Sequence, residues 1–179
     1  MTQVGNVYAQ ALYDLTAEEH CAETVMQQLK ALAEGFRAEP DFVRLLSAPN
    51  LSKEERCHIV DDSFRGKIHP YVLNFLKILT QKGYMRHFED CCKAYRQIYN
   101  LDHGILEVCA VTAVPLNEQQ TEKLKQKLGT VTGKTIDLAN RVDQSCLGGV
   151  RLDYDGKRVD DTVAHRLASI GAMLNNTVL

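Results

Sequence analysis

At 179 residues, 45% hydrophobic and 25% charged, the chain has the composition of a globular protein with its own core, which excludes a disordered or fibrous one. Residues through His103 hold 12 Lys+Arg against 14 Asp+Glu and the remainder 9 against 9, so the halves carry −2 and 0 and neither is a basic nucleic-acid module. No run approaches the roughly 18 apolar residues of a membrane helix, the N-terminus lacks a signal peptide's apolar core and cleavage site, and six irregularly spaced cysteines read as reduced thiols, which points to a soluble cytosolic protein.

In the first helix, Val4, Val7, Tyr8, Ala11, Leu12 and Leu15 recur at helical spacing and predict one apolar face. Gly5, Ala9 and Tyr13 form a second row beside it, widening the apolar arc to about 240° at 100° per residue. A second helix is expected from Ala22 to Ala38, then a short piece over Asp41 to Leu46 closed by Pro49. Ser52 with Glu55 three residues on is a capping-box pattern opening a helix to about Phe64. Pro70 suits the first turn of a helix bearing Tyr71, Val72, Leu73, Phe75, Leu76, Ile78 and Leu79 and ending before Gly83. A last helix fits Met85 to about Leu101.

After His103-Gly104 the pattern changes. Ile105 to Val114 is β-branched and apolar and predicts a strand. Asn117 caps a helix through Leu128, with Thr121, Leu124 and Leu128 as its buried stripe and Gly129 past its end. Thr135 to Val142 reads as a second strand. Val150–Tyr154 and Lys157–Val159 flank Asp155-Gly156, a pair suited to a type I′ hairpin turn. Asp160 or Asp161 is expected to cap a final helix bearing Val163, Leu167, Ile170 and Leu174. The expectation is a mainly α chain with a small α+β part: a five- or six-helix bundle over 1–104 and a C-terminal α+β domain over 105–179.

Candidate chemistry is thin. Gly129 to Thr135 resembles a phosphate-binding loop, but it has three residues between its glycines where four are needed, and a helix precedes it where a strand should. Asp153, Asp155 and Gly156 lack the alternating ligands and closing Glu of a calcium loop. Cys57-His58, His87 with Cys91, and Cys91-Cys92 are the soft-ligand candidates, and no Cys-x-x-Cys occurs. Asp61-Asp62 reads as solvated. No cofactor or metal is expected. Stronger is the surplus of apolar surface on the first helix and on the helix after Pro70, which fits either two central helices or a groove for an amphipathic partner helix.

Tyr8-Ala9-x-Ala11-Leu12, Phe75-Leu76-x-x-Leu79 with Lys82-Gly83-Tyr84-Met85-Arg86, and Asp143-x-Ser145-x-x-Gly148-Gly149-Val150-x-Leu152 leading to Asp160-x-Thr162 occur in that order. On these the chain resembles the delta subunit of bacterial F-type ATP synthase, related to the mitochondrial oligomycin-sensitivity-conferring protein. Tyr84, where the family commonly has Arg, and Cys146 depart from it. The resemblance implies a non-catalytic stator subunit with no small-molecule substrate, held peripherally at the cytoplasmic face of the bacterial plasma membrane through the complex. It implies that the N-terminal helix of an alpha subunit binds at Gly5, Tyr8, Ala9, Leu12, Tyr13, Val72, Leu76 and Leu79. The C-terminal domain would contact the end of the b-subunit stalk, with Val163, Leu167, Ile170 and Leu174 as the residues for it. A helical RNA-binding adaptor is the alternative, opposed by the slightly acidic charge; a small thiol or metal enzyme on Cys57, His58, His87 and Cys91 is a further rival.

Overall fold

The computed structural model describes residues 3–48 and 51–169, so Pro49, Ile170 and Leu174 lie outside the described residues. The chain divides into two compact units, Met1–Tyr99 and Asn100–Leu179. Most described residues are helical, and the sheet has four strands.

The first unit is built from α1 (Gln3–Glu18), α2 (Ala22–Ala38), α3 (Pro40–Leu46), α4 (Lys53–Phe64), α5 (Pro70–Lys82) and α6 (Phe88–Asp102), the last of which crosses the division. Its helix ends follow local chemistry. The Ser52 hydroxyl accepts the Glu55 N–H while the Glu55 carboxylate accepts the Ser52 N–H, closing the capping box that starts α4. Pro70 occupies the first turn of α5, and Gly83 ends it at φ +73, a backbone that favours glycine. The predicted Met85–Leu101 helix is interrupted: Met85–His87 forms a 3₁₀ turn before α6 begins, and its tight winding buries Met85 while Arg86 stays in water.

Val25 and Leu29 of α2, Val60 of α4, Val72, Leu76 and Leu79 of α5 and Tyr95 of α6 are all within 2% of full burial. Each such side chain contributes about 1.5–3 kcal/mol. Phe36, Phe42, Phe64 and Phe88 pack ring against ring. The Tyr95 hydroxyl, 2.6 Å from Thr16 Oγ1, donates to the carbonyl of Ala22, so three helices share one satisfied polar contact.

The second unit is a sheet in the order β2-β1-β3-β4, with β1 Ile105–Thr112, β2 Thr135–Val142, β3 Val150–Tyr154 and β4 Lys157–Asp160. β1 runs parallel to β2, Ile105 opposite Thr135, and antiparallel to β3, Thr112 opposite Val150. Parallel neighbours need a crossover, which α7 (Glu118–Thr132) supplies. β1 stops at Thr112 instead of the predicted Val114. There Asn140 donates from Nδ2 to the Ala110 carbonyl and to Thr112 Oγ1 and accepts the Leu116 N–H, turning the chain out of the sheet.

α7 runs past the expected stop at Gly129, because the glycine that takes the left-handed end, at φ +68, is Gly133. Its expected buried stripe is not buried: Thr121, Leu124 and Leu128 are half-exposed, since this helix covers the sheet without being enclosed itself. Asp155 and Gly156 both have positive φ, as a type I′ turn requires. Residues 163–169 form the described part of α8. Its cap is Thr162, whose Oγ1 accepts the His165 N–H, and not Asp160 or Asp161. Asp160 acts one step earlier, accepting both the N–H and the hydroxyl of Thr162.

Candidate docking surfaces

The residues expected to meet the alpha subunit are brought together, but on the inside. Ala9, Val72, Leu76 and Leu79 have no exposed surface, Leu12 and Tyr13 are 6% exposed, and Gly5 is buried. Only Tyr8 is half-exposed, its ring centroid 6.0 Å from that of Tyr84. The physical reason is that small residues at Gly5 and Ala9 let neighbouring helices of the same unit approach closely, so the chain fills its own groove. The rows of α1 are divided differently from the prediction, with Leu12 of the expected main face joining the second row in the core. Gly5, Ala9, Leu12, Tyr13 and Thr16 face the core, while Val7 (64% exposed), Ala11 and Leu15 (41%) of the predicted main face lie in water. Ile78 of α5 (44%) is exposed as well.

That exposed flank is what remains of the 240° arc after the core has taken its share. The apolar pattern of α1 sets the width of the arc but not which part of it the chain buries in its own core. Thr16 was the available signal: it continues the row of Gly5, Ala9 and Leu12 but is polar, and its burial depends on partners on α1 and α6.

Between α4 and α5 lies an open groove of about 520 Å³ lined by Lys53, Cys57, His58, Asp61, Lys77, Gln81 and Lys82 among others. Lys77 Nζ donates to Asp61 Oδ2 at 2.6 Å, and this bond holds the Asp61 carboxyl below its usual range. Asp61 is thus a structural ion-pair partner and not merely solvated. No group of three or more His, Cys, Asp or Glu among the described residues could hold a metal ion. All six cysteines are free thiols. Burial pushes the Cys91 thiol up to about 11 and Cys92 further, so both are protonated at neutral pH and poor nucleophiles.

In the second unit Val163 and Leu167, two of the residues expected to face the b stalk, are 42% and 57% exposed. The Val163 N–H donates to the Gly148 carbonyl at 3.0 Å, and Leu147, with φ +60, stands beside them 67% exposed. These three apolar side chains occupy one neighbourhood at the start of α8.

A family model of the ATP synthase delta (OSCP) subunit matches residues 4–174. The chain belongs to the ATP synthase delta (OSCP) subunit family. It is 31% identical over 176 residues to an ATP synthase subunit delta of Alkaliphilus oremlandii, covering 98% of each chain. It is also 28% identical to one of Clostridioides difficile, covering 98% of this chain and 97% of that one. Its fold is similar to a chain in the Toxoplasma gondii mitochondrial ATP synthase hexamer, with a TM-score of 0.75, 19% identity and coverage of 97% and 98%.

Within this delta-family chain the Asp143-to-Thr162 motif has a structural meaning. Asp143 Oδ1 accepts from the N–H and hydroxyl of Ser145 and closes the turn after β2. Gly149 sits at φ +78, where a Cβ would stand 2.5 Å from the Asp161 carbonyl oxygen. No other residue fits there without moving backbone. Gly148, Gly149, Asp160 and Thr162 together fix where α8 leaves the sheet.

Proposed function

We propose that this delta-family chain is a non-catalytic peripheral-stalk subunit that holds the catalytic head of an F-type ATP synthase still against the rotor. Its first unit takes the N-terminal helix of an alpha subunit on the exposed flank of α1 and α5. Its second unit takes the end of the b stalk at Leu147, Val163 and Leu167. The subunit is peripheral, held at the cytoplasmic face of the membrane through the complex. The observation that supports the head contact is that Val7, Ala11 and Leu15 on α1, and Ile78 on α5, are left in water while the core residues of both helices are buried. A clamp of this kind needs slow dissociation from packed helix contacts and no reactive group.

Calorimetric titration of the full chain with a peptide from the alpha subunit's N-terminus tests this reading. One-to-one binding with a negative heat-capacity change is expected. Ala11→Glu, on the exposed flank, should weaken it at least about tenfold by placing a charge in the contact, with helix content unchanged. Full affinity in Ala11→Glu would rule the flank out.

A further inference from the structure

We infer that α5 begins with a pH-sensitive cap, the imidazole of His69, which holds the first turn of the helix when neutral and releases it when protonated. Pro70 has no N–H, so the first backbone donor of α5 is that of Tyr71, and it donates to His69 Nδ1 at 3.4 Å. The backbone of His69 is held on both sides. Its N–H donates to Gln28 Oε1 of α2 at 2.7 Å, and its carbonyl accepts the Leu73 N–H at 3.0 Å. The imidazole is thereby seated over the helix end, its ring centroid 5.1 Å from that of Tyr71. The other side-chain caps of the described α-helices, Ser52, Asn117 and Thr162, do not titrate near neutral pH. The cap lies within the first unit and needs no partner chain.

An imidazole accepts at Nδ1 only while that nitrogen carries no proton, with the hydrogen on Nε2. Protonation turns Nδ1 into a donor facing the Tyr71 N–H, and it places a positive charge at the positive end of the helix dipole. Both changes act in the same direction, so the contribution of the cap is present in mild alkali and lost as the pH falls through the range in which histidine ordinarily titrates. Among the described residues, no charged group of α1, α2 or α4, the helices packed against α5, pairs with the ring: Asp14 of α1 accepts from Gln10, Glu23 of α2 from Gln27 and Asp61 of α4 from Lys77. Lys67, two residues before His69, donates to the Ser63 carbonyl. The titratable side chain in contact with the ring is that of Tyr71, on α5 itself. Val72, which has no exposed surface, follows Tyr71 directly, so loosening of this turn reaches the core of the unit.

The test uses the full chain and residue-resolved NMR. At about pH 8 the His69 imidazole should carry its hydrogen on Nε2, read from long-range nitrogen–proton correlations of the ring. Between about pH 8 and about pH 5 the protection of the Tyr71 and Leu73 amides, corrected for the intrinsic pH dependence of exchange, should fall about tenfold. That of the Glu55 amide, under the Ser52 cap, should change by less than about twofold. His69→Asn supplies a cap that does not titrate and should keep the Tyr71 amide protected at both pH values, whereas His69→Ala should leave it unprotected at both. A hydrogen on Nδ1 at about pH 8, protection that does not fall in acid, or a fall that persists in His69→Asn would overturn the cap. The tautomer and the protection in the unmodified chain decide without any variant, so the outcome stays readable even where a substitution disturbs folding.

Discussion

The two units solve the problem of burial differently. In the first, α1, α2, α4, α5 and α6 all contribute fully buried side chains, and exposed large apolar residues are few beside them. In the second, complete burial is concentrated on β1, at Val108, Ala110, Val111 and Thr112, while α7 has no buried residue and β3 is half-exposed along its whole length. Val114, Val131, Val142, Leu147, Val159, Val163 and Leu167 of this unit are all more than 40% exposed. A helix bundle can enclose its helices on several sides; a four-stranded sheet with one crossover helix leaves that helix's outer face and the sheet edges in water. The lesson is that stability is concentrated in the first unit, and the second holds its shape by turns, caps and one central strand.

The sharpest way to break this contrast is Ala9→Glu. At a site with no exposure an unpaired carboxylate costs roughly 3–5 kcal/mol, and helix content followed by circular dichroism should collapse in the first unit. A folded variant would show that α1 is not central. Next comes the same deletion in both units. Leu76→Ala should lower stability in urea by about 2–5 kcal/mol, and Leu124→Ala, half-exposed on α7, by less than about 1.5 kcal/mol. Equal losses would contradict the difference in enclosure.

Gly149→Ala should destabilise the second unit by about 1–3 kcal/mol, from the strain of a side chain at φ +78 against the Asp161 carbonyl. Amide exchange confined to β3, β4 and α8 would register it. The smallest effect is in acid. The hydroxyl and N–H of Thr162 hold the Asp160 carboxyl below its usual range. A depressed pKa contributes stability that is present above the unfolded value and lost as pH falls through the folded one. Protection of the α8 amides should therefore drop below about pH 4, and the drop should be absent in Asp160→Asn.

Much of this was legible in the sequence where a local rule decides the outcome. Ser52 and Glu55, Pro70 and Gly83, and Asp155-Gly156 each specify a terminus or turn through their own backbone groups, and the structure places all of them as expected. Local rules failed where two options compete. Gly129 and Gly133 are both possible helix stops, and it is Gly133, at φ +68, that takes the left-handed end. Asp160, Asp161 and Thr162 can all cap, and the hydrogen bonds that Asp160 accepts from Thr162 decide among them. The burial of the expected docking residues was hidden for a different reason. A 240° apolar arc contains both the face a helix buries in its own unit and any face it offers to another, and periodicity cannot divide the two. The family resemblance was more legible than the site, because its motif residues hold turns and caps whose requirements are local.

The buried cysteines give the molecule built-in clocks. Cys91, 1% exposed, and Cys57, 8% exposed, lie in the first unit, and Cys146, 4% exposed, lies in the second. A thiol-labelling reagent reaches such groups only when the surrounding structure opens. Labelling rates at each position, resolved by mass, therefore time the opening of each unit separately in the unmodified protein, with no engineered probe.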